Sequence, residues 1–278
     1  MIRYKTLLII VLLSVVGLAA AQDYQDYQRR GRGRSSRIAD PRDVGSRNGV
    51  PIWENDLSFT HDVFTFVRIE YDTYRGRYGW TTDYPDADLN LSWRLQQLTS
   101  IKTDPNGRHM RLTNPQLFEY PFIYIVEPGG LHFSEDEVVA LRSYLLRGGF
   151  LMVDDFWGEA EWANFEYEIK RVFPDRPIEE IPLEHEIFNL VYKLEEKPLI
   201  PSVNTYWSGG WTERSDAREA HYRTIKDDNG RLMMVICHNT DLGDGWEREG
   251  VDQGYFVQYS ERWAYPLGIN IVTYALTH

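Results

Sequence analysis

The stretch Gly148-Gly149-Phe150-Leu151-Met152-Val153-Asp154-Asp155-Phe156-Trp157-Gly158-Glu159-Ala160-Glu161-Trp162 decides the fold. Ahead of it, Ser134 is followed three residues later by Glu137. That is the capping-box pattern, in which hydroxyl and carboxylate satisfy each other's free backbone donors. Val138, Leu141 and Leu145 then recur at helical spacing, and Gly148 suits the left-handed position that ends a helix. Phe150 to Val153 is an apolar run too short for a helix and bounded by glycines and acids, which predicts a buried strand. Asp154 and Asp155 stand at its carboxyl end. A second helix is predicted beyond them, with Trp162, Phe165, Ile169 and Val172 on one face and Pro174 past its end. Helix, buried strand, acidic turn, helix is the order of an open α/β sheet, whose ligands bind beyond the carboxyl ends of its strands.

The pattern repeats on the amino-terminal side. Val63 to Tyr71 reads as a first strand, and Asp86 or Asp88 can cap a helix carrying Leu91, Leu95 and Leu98. His109 to Leu112 reads as a short second strand, and Asn114-Pro115 as the start of one helical turn. Pro121 to Val126 predicts a buried strand leading into Glu127-Pro128-Gly129-Gly130. Three strand-helix steps in succession imply a parallel sheet, because parallel neighbours need crossovers. On the carboxyl-terminal side, Tyr222 to Lys226 and Arg231 to Ile236 flank Asp227-Asp228-Asn229-Gly230, a hairpin signal. The second arm delivers Cys237-His238-Asn239-Thr240-Asp241, and Tyr265 to Leu276 reads as a last helix. The expected fold is therefore α/β: a three-layer, open, mostly parallel sheet with a β-hairpin addition.

Residues 1–21 have the charged, apolar, small-residue order of a cleavable secretory leader, so the mature protein is expected to be exported, periplasmic or extracellular. Residues 22–50 hold seven arginines against four aspartates and almost no large aliphatic side chains, which predicts a disordered Arg/Gly/Gln-rich linker. Residues 51–278 are expected to form a single domain. The chain carries a formal charge of −12. With the basic leader and linker set aside, the remainder is more acidic still, a poor match for nucleic acid, whose affinity comes largely from lysine and arginine on phosphates. Acidity suits solubility, neutral or cationic ligands, or a metal. Cys237 is the single cysteine, so no intramolecular disulfide can form.

Asp154 and Asp155, with Glu159 and Glu161 near the next helix's amino end, form a paired-carboxylate candidate for acid–base work, metal binding or binding sugar hydroxyls. The bland alternative is that one aspartate caps the next helix. Neighbours on a strand point to opposite faces, so at most one of the pair faces a cleft. The same rule separates Cys237 from His238, and a lone apolar-flanked cysteine is more often core than nucleophile. His238 with Asp241, Asp244 and Glu247 offers donors for a divalent cation, but the spacing misses the calcium-loop pattern, so no residue is assigned to a metal. Trp157 and Trp246, with Trp207 and Trp211, fall in predicted loops or strand ends, where a ring can stack on a sugar or simply fill the core.

Four motifs carry a resemblance: Gly148 to Trp162; Asp83-Tyr84-Pro85-Asp86-Ala87-Asp88; Ile236 through Glu247; and Tyr265-Pro266-Leu267-Gly268-Ile269-Asn270. Together they resemble an exported bacterial family known as domain of unknown function 4159, over about residues 60 to 278. The resemblance implies a class I glutamine amidotransferase-like fold, nearest its trehalose-utilisation-type branch, with His185 in the place of that fold's later-loop histidine. It also marks a departure. Where amidotransferases carry a cysteine nucleophile, this chain has Asp154-Asp155, so glutaminase chemistry is expected to be absent.

The residues leave three functions open. One is a binding or accessory module for a small polar ligand or carbohydrate, using Glu127, Trp157, Glu161, His238, Asp241 and Trp246. The second is an enzyme using Asp154 or Asp155 with His185. The third is a scaffold subunit of a cell-envelope complex tethered by the arginine-rich segment. One expectation is testable without knowing which holds. Linker composition cannot offset an ordering cost of about 1–2 kcal/mol per residue. Removing residues 22–50 should therefore move the melting temperature by no more than about 1–2 °C, given roughly 2–4 °C per kcal/mol for a domain this size. A large drop in a calorimetric scan would show that the linker docks on the domain.

Overall fold

The computed structural model describes residues 50–56, 62–74 and 79–278. The expected leader, and all of the expected linker but Val50, lie outside the described residues. Among the described residues the main sheet has seven strands: β1 Val67–Glu70, β2 Arg108–Arg111, β3 Phe122–Val126, β4 Phe150–Phe156, β5 Glu179–Glu180, β6 His221–Thr224 and β7 Met234–His238. Their order across the sheet is β2-β1-β3-β4-β7-β6-β5. The first five in that order run parallel, and β6 and β5 add antiparallel at one edge. The chain is thus α/β with a mostly parallel sheet. Its helices are α1 Asp86–Leu98, α2 Glu135–Leu146, α3 Gly158–Val172, α4 Val203–Trp207, α5 Leu242–Glu247 and α6 Tyr265–Thr277, the last preceded by a π-helical stretch, Phe256–Ala264.

Strand alternation builds two cores. Phe122, Tyr124, Phe150, Met152, Val235 and Cys237 face one way and pack with Leu91, Leu95, Leu242, Trp246, Leu267 and Ile271 of α1, α5 and α6. Ile123, Ile125, Leu151, Val153, Met234 and Ile236 face the other way, against Val138, Leu141, Phe165 and Ile169 of α2 and α3. Because β3, β4 and β7 are covered on both faces, they read as continuous apolar runs, as buried parallel strands should. The Ser134–Glu137 capping box forms in both directions at the start of α2.

Three details depart from expectation. β4 continues three residues past Val153, through both aspartates. The hairpin arms pair as expected around a turn in which Asp227 accepts from Asn229 N (2.8 Å) and Arg231 N (3.0 Å). Its second arm, β7, is nevertheless a parallel neighbour of β4 inside the sheet rather than an addition to it. Finally, neither Asp86 nor Asp88 caps α1; the residue at its amino end is Pro85, with no side-chain cap. Asp88 is instead committed to Arg68.

Arg68 lies in the middle of β1 and is fully buried. Its Nε donates to both Asp88 oxygens at 3.1 Å, Nη1 donates to the carbonyls of Trp80 (3.1 Å) and Thr82, and its guanidinium lies 5.2 Å from the Tyr124 ring centroid. One cation thereby joins β1, β3, α1 and the segment that carries Asp83. Removing one member of a buried pair strands the other charge, at about 3–5 kcal/mol. Arg68→Met should therefore lower the melting temperature by about 10 °C. The double variant Arg68→Met/Asp88→Leu should recover part of the loss; a double variant no more stable than the single would show that the pair is not what holds this corner.

Candidate functional site

The site grows from an irregularity in β4. Ile236 of β7 pairs with Val153 and His238 pairs with Phe156, so Asp154 and Asp155 stand opposite Cys237 alone, as a β-bulge. Asp155 takes a left-handed backbone, φ 56°. Among the described residues, the non-glycine positions with positive φ are Asp83 (60°), Glu127 (48°), Asp155 (56°) and Asn239 (62°). Three of them fall at the carboxyl ends of β3, β4 and β7, and Asp83 lies in the segment before α1. Such conformations cost an L-residue about 1–3 kcal/mol and persist only where surrounding contacts impose them. Those contacts are visible here. Tyr71 Oη donates to the Val126 and Glu127 carbonyls at 2.7 and 2.8 Å, Asn239 N donates to the Phe156 carbonyl, and Asn239 Oδ1 accepts from Gly158 N at 2.8 Å.

Beyond these strand ends opens a cleft of about 660 Å³ whose lining includes Tyr74, Glu127, Asp155, Trp157, Glu161 and Glu213. Asp155 Oδ1 accepts from Trp157 Nε1 at 2.9 Å, while Glu161 accepts from Trp157 N at 2.8 Å and pairs with Arg214 at 2.6 Å. Gly129 lets Glu161 pack close to the wall: a Cβ there would come within 2.6–2.7 Å of the Glu161 side chain, which would have to move. Trp157 is only 4 % exposed, so its ring braces Asp155 and offers no stacking face. Tyr74 is the exposed aromatic of the cleft.

Asp154 points the other way. It is wholly buried, and Oδ2 accepts from Tyr124 Oη (3.1 Å) and Gly243 N (2.8 Å), tying β4 to the start of α5. Around it gather Asp83, Asp241, Asp244 and Glu247. Asp241 caps α5 by accepting from Asp244 N at 2.7 Å, and Arg248 pairs with Asp244 (2.8 Å) and Glu247 (2.6 Å). Burial is the main cause that raises the Asp154 carboxyl to about 7, against the pull of the Gly243 and Leu242 amides and Tyr124. Burial, with Asp244 next, raises Asp83 to about 8. Asp155, Asp241 and Glu247 are likewise pushed well above the carboxylate range, by burial first and then by acidic neighbours.

The structure thus brings Glu127, Asp155, Trp157 and Glu161 to one cleft, and Asp154 and Asp241 beneath it. It does not bring the others. His185 caps a 3-10 turn, accepting from Ile187 N, and packs on Tyr274, whose hydroxyl accepts from Leu232 N before β7 and whose ring meets Phe150 at the start of β4. It belongs to the amino-terminal end of the strands, opposite the cleft, so the expected pairing with the aspartates is corrected. His238 points into the α2/α3 side, its ring 4.8 Å from Phe156 and 5.2 Å from Trp162. Its Nδ1 meets Arg223 and Nε2 meets the Gly158 carbonyl, which fixes a neutral ring, and burial lowers its pKa to about 4. Trp246 is core, with Nε1 donating to the Ala264 carbonyl at 2.9 Å. Cys237 is fully buried and its thiol is pushed well up by that burial, so it is no nucleophile. Asp83 was not among the candidates; the signal was the Asp83-Tyr84-Pro85 motif, since aspartate before a rigid turn tolerates positive φ.

A family model described as a domain of unknown function, DUF4159, matches residues 65–276. The chain belongs to that family. No curated protein matches it. The DUF4159 span holds every residue of the acidic cluster and of the cleft lining. Among the described residues, no helix of this DUF4159 chain is long and apolar enough to cross a membrane.

The buried acids impose a pH dependence whose sign can be worked out. A carboxyl whose folded pKa is raised binds more protons folded than unfolded, so stability falls as pH rises toward the folded value. His238, with its pKa lowered, acts oppositely, but only between about 4 and its ordinary 6.5. From pH 6.5 to 8 the acids act alone. With chelator present, the DUF4159 protein should lose stability over that interval, read as a falling melting temperature. Asp83→Asn should flatten the slope; an unchanged slope would place the titration elsewhere.

Proposed function

We propose that this chain is an exported binding module with a class I amidotransferase-like, flavodoxin-like fold that has no thiol nucleophile. Its ligand is a small, neutral or cationic molecule bearing hydroxyl or amine groups. The fold reading is supported by the parallel strands, which in chain order lie 2-1-3-4-5 across the sheet, the flavodoxin-like order. The residue with the strained backbone near the end of the central strand is Asp155, and the single cysteine is buried on the neighbouring strand, which argues against amide transfer. Export is supported by the leader-like order of residues 1–21.

One observation carries the ligand class: Glu127, Asp155, Glu161 and Glu213 converge on one open cleft, and the guanidinium there, Arg214, is already paired with Glu161. Among the described residues, such a wall offers carboxyl oxygens to donors and no unpaired cation to an anion. Sugar stacking on Trp157 or Trp246 has no support, because both rings are buried. The enzyme reading loses its histidine, since His185 lies at the other end of the sheet.

Thermal-shift titration of the purified chain against neutral sugars, polyamines and the corresponding sugar phosphates tests this reading. Saturable shifts are expected for neutral or cationic compounds and none for the phosphates. Ala160→Trp, which fills the cleft from the exposed surface of α3, and Glu127→Gln should abolish them. Preference for anions, or shifts that survive both substitutions, would overturn the assignment.

A further inference from the structure

One oxygen from each of Asp83, Asp155 and Asp241 lies within 4.8 Å of the other two. An acidic cluster is not by itself a site, and these residues have other duties: Asp155 receives the Trp157 indole N–H, and Asp241 caps α5. A second, independent feature changes the reading. Asp83 Oδ2 and Asp154 Oδ1 are both sealed from solvent and have no hydrogen-bond partner, and Asp154 as a whole is 0 % exposed. Both carboxylates lie against Gly243. A Cβ there would come within 2.9 Å of Asp83 Oδ2, 2.9 Å of Tyr124 Oη and 3.5 Å of Asp241 Oδ1. The amide of the same glycine donates to Asp154 Oδ2, and Tyr124 Oη donates to it too. Two orphan oxygens therefore belong to carboxylates packed on Gly243, and one of them, Asp83 Oδ2, is on a member of the triad itself. Buried polar atoms are almost always satisfied, and a buried carboxylate without a partner is costly.

We infer that Asp83, Asp155 and Asp241 hold a hard divalent cation of the Ca²⁺, Mg²⁺ or Mn²⁺ kind beneath the cleft, with Asp154 in the surrounding shell. Oxygen donors alone, with no sulfur or imidazole, select hard cations. The span allows one ion: with oxygens at about 2.1–2.5 Å, neighbouring donors lie roughly 3 Å apart and opposite ones roughly 4–5 Å, and the three oxygens lie within 4.8 Å of one another. His238 is not a ligand, because both its ring nitrogens are engaged on the α2/α3 side. The other acidic triad, Asp83, Asp244 and Glu247, already has a cation in Arg248, paired with two of its three members. The site also gives Asp155 a second role. It lines the cleft and touches the triad, so a bound ion would present its open positions toward a ligand's hydroxyls. The inference does not depend on the organic ligand proposed above.

The test uses the full chain, stripped with EDTA, dialysed, and titrated separately with Ca²⁺, Mg²⁺ and Mn²⁺ at pH 7.5 and moderate salt, with no organic compound present. Calorimetry should show one equivalent binding for at least one ion. The melting temperature should rise by about 5 °C at 100-fold excess over Kd. Asp241→Asn should abolish both signals while keeping the α5 cap, because asparagine caps as well as aspartate. Glu247→Gln should retain them. Should Asp241→Asn fail to fold by circular dichroism, Asp83→Asn takes its place. Silence with all three ions, or binding that survives the aspartate substitutions, overturns the inference. So does a wild type that ignores ions while Asp83→Asn is the more stable protein, because the carboxylates then share protons. Because the titration contains no organic compound and neither Asp83 nor Asp241 lines the cleft, its failure is distinguishable from failure of the cleft's own ligand titration.

Discussion

Packing several carboxylates at the carboxyl end of a parallel sheet sets the terms for the rest of this structure. Like charges a few ångströms apart in a poorly solvated space repel strongly, and each also forfeits hydration. The fold answers with a chain of contacts that begins at Arg68. Its guanidinium takes Asp88 on one side and the Tyr124 ring on the other, and the Tyr124 hydroxyl reaches Asp154, which in turn receives the first amides of α5. Arg68 also grips the carbonyls of Trp80 and Thr82, so the segment that presents Asp83 is held by the same cation that offsets part of its charge. Strand, loop and two helix starts are coupled through one side chain.

The β4 bulge divides the labour between two adjacent acids. A regular strand would send Asp154 to one core and Asp155 to the other, burying both without access to solvent. The left-handed turn at Asp155 lifts its carboxylate to the floor of the cleft and leaves Asp154 as the anchor of α5. Trp157 then holds Asp155 through its indole N–H while Glu161 holds the Trp157 amide. The orientation of the cleft acid is therefore set before any ligand arrives, and binding need not pay to order it.

Much of this architecture is legible in the residues. Local signals are self-contained: Ser134 and Glu137 need only each other, and the apolar runs of β3 and β4 announce burial on both faces. Alternation predicts that Asp154 and Asp155, like Cys237 and His238, point to different sides, although the bulge that lifts Asp155 to the cleft is not visible in it. What is not legible depends on partners distant in sequence. Asp88 reads as a helix cap until Arg68, twenty residues earlier, is seen to claim it. His185 reads as a site residue in a loop, but where that loop lands is decided by packing on Tyr274 near the carboxyl terminus. The loop tryptophan Trp246 turns inward because short α5 buries against α1 and α6, which no local pattern encodes.

The positions of strain sharpen the functional argument. A fold can place glycine wherever it needs a left-handed backbone at little cost, and this chain does so at Gly148 and Gly230, in turns remote from the cleft. At Asp83, Glu127, Asp155 and Asn239 it keeps a polar side chain in the same conformation. Glycine there would relieve strain but remove the group. For Asn239 the reason is structural: its amide bridges Gly158 N and the Glu219 carbonyl. For Asp83, Glu127 and Asp155 burial disfavours the charged carboxylate and raises each pKa, so the ionised side chain works against stability rather than for it. Strain and buried acidity coincide at these three positions, two of which line the cleft while Asp83 and Asp155 share the acidic triad, and that coincidence is what the proposed binding role rests on.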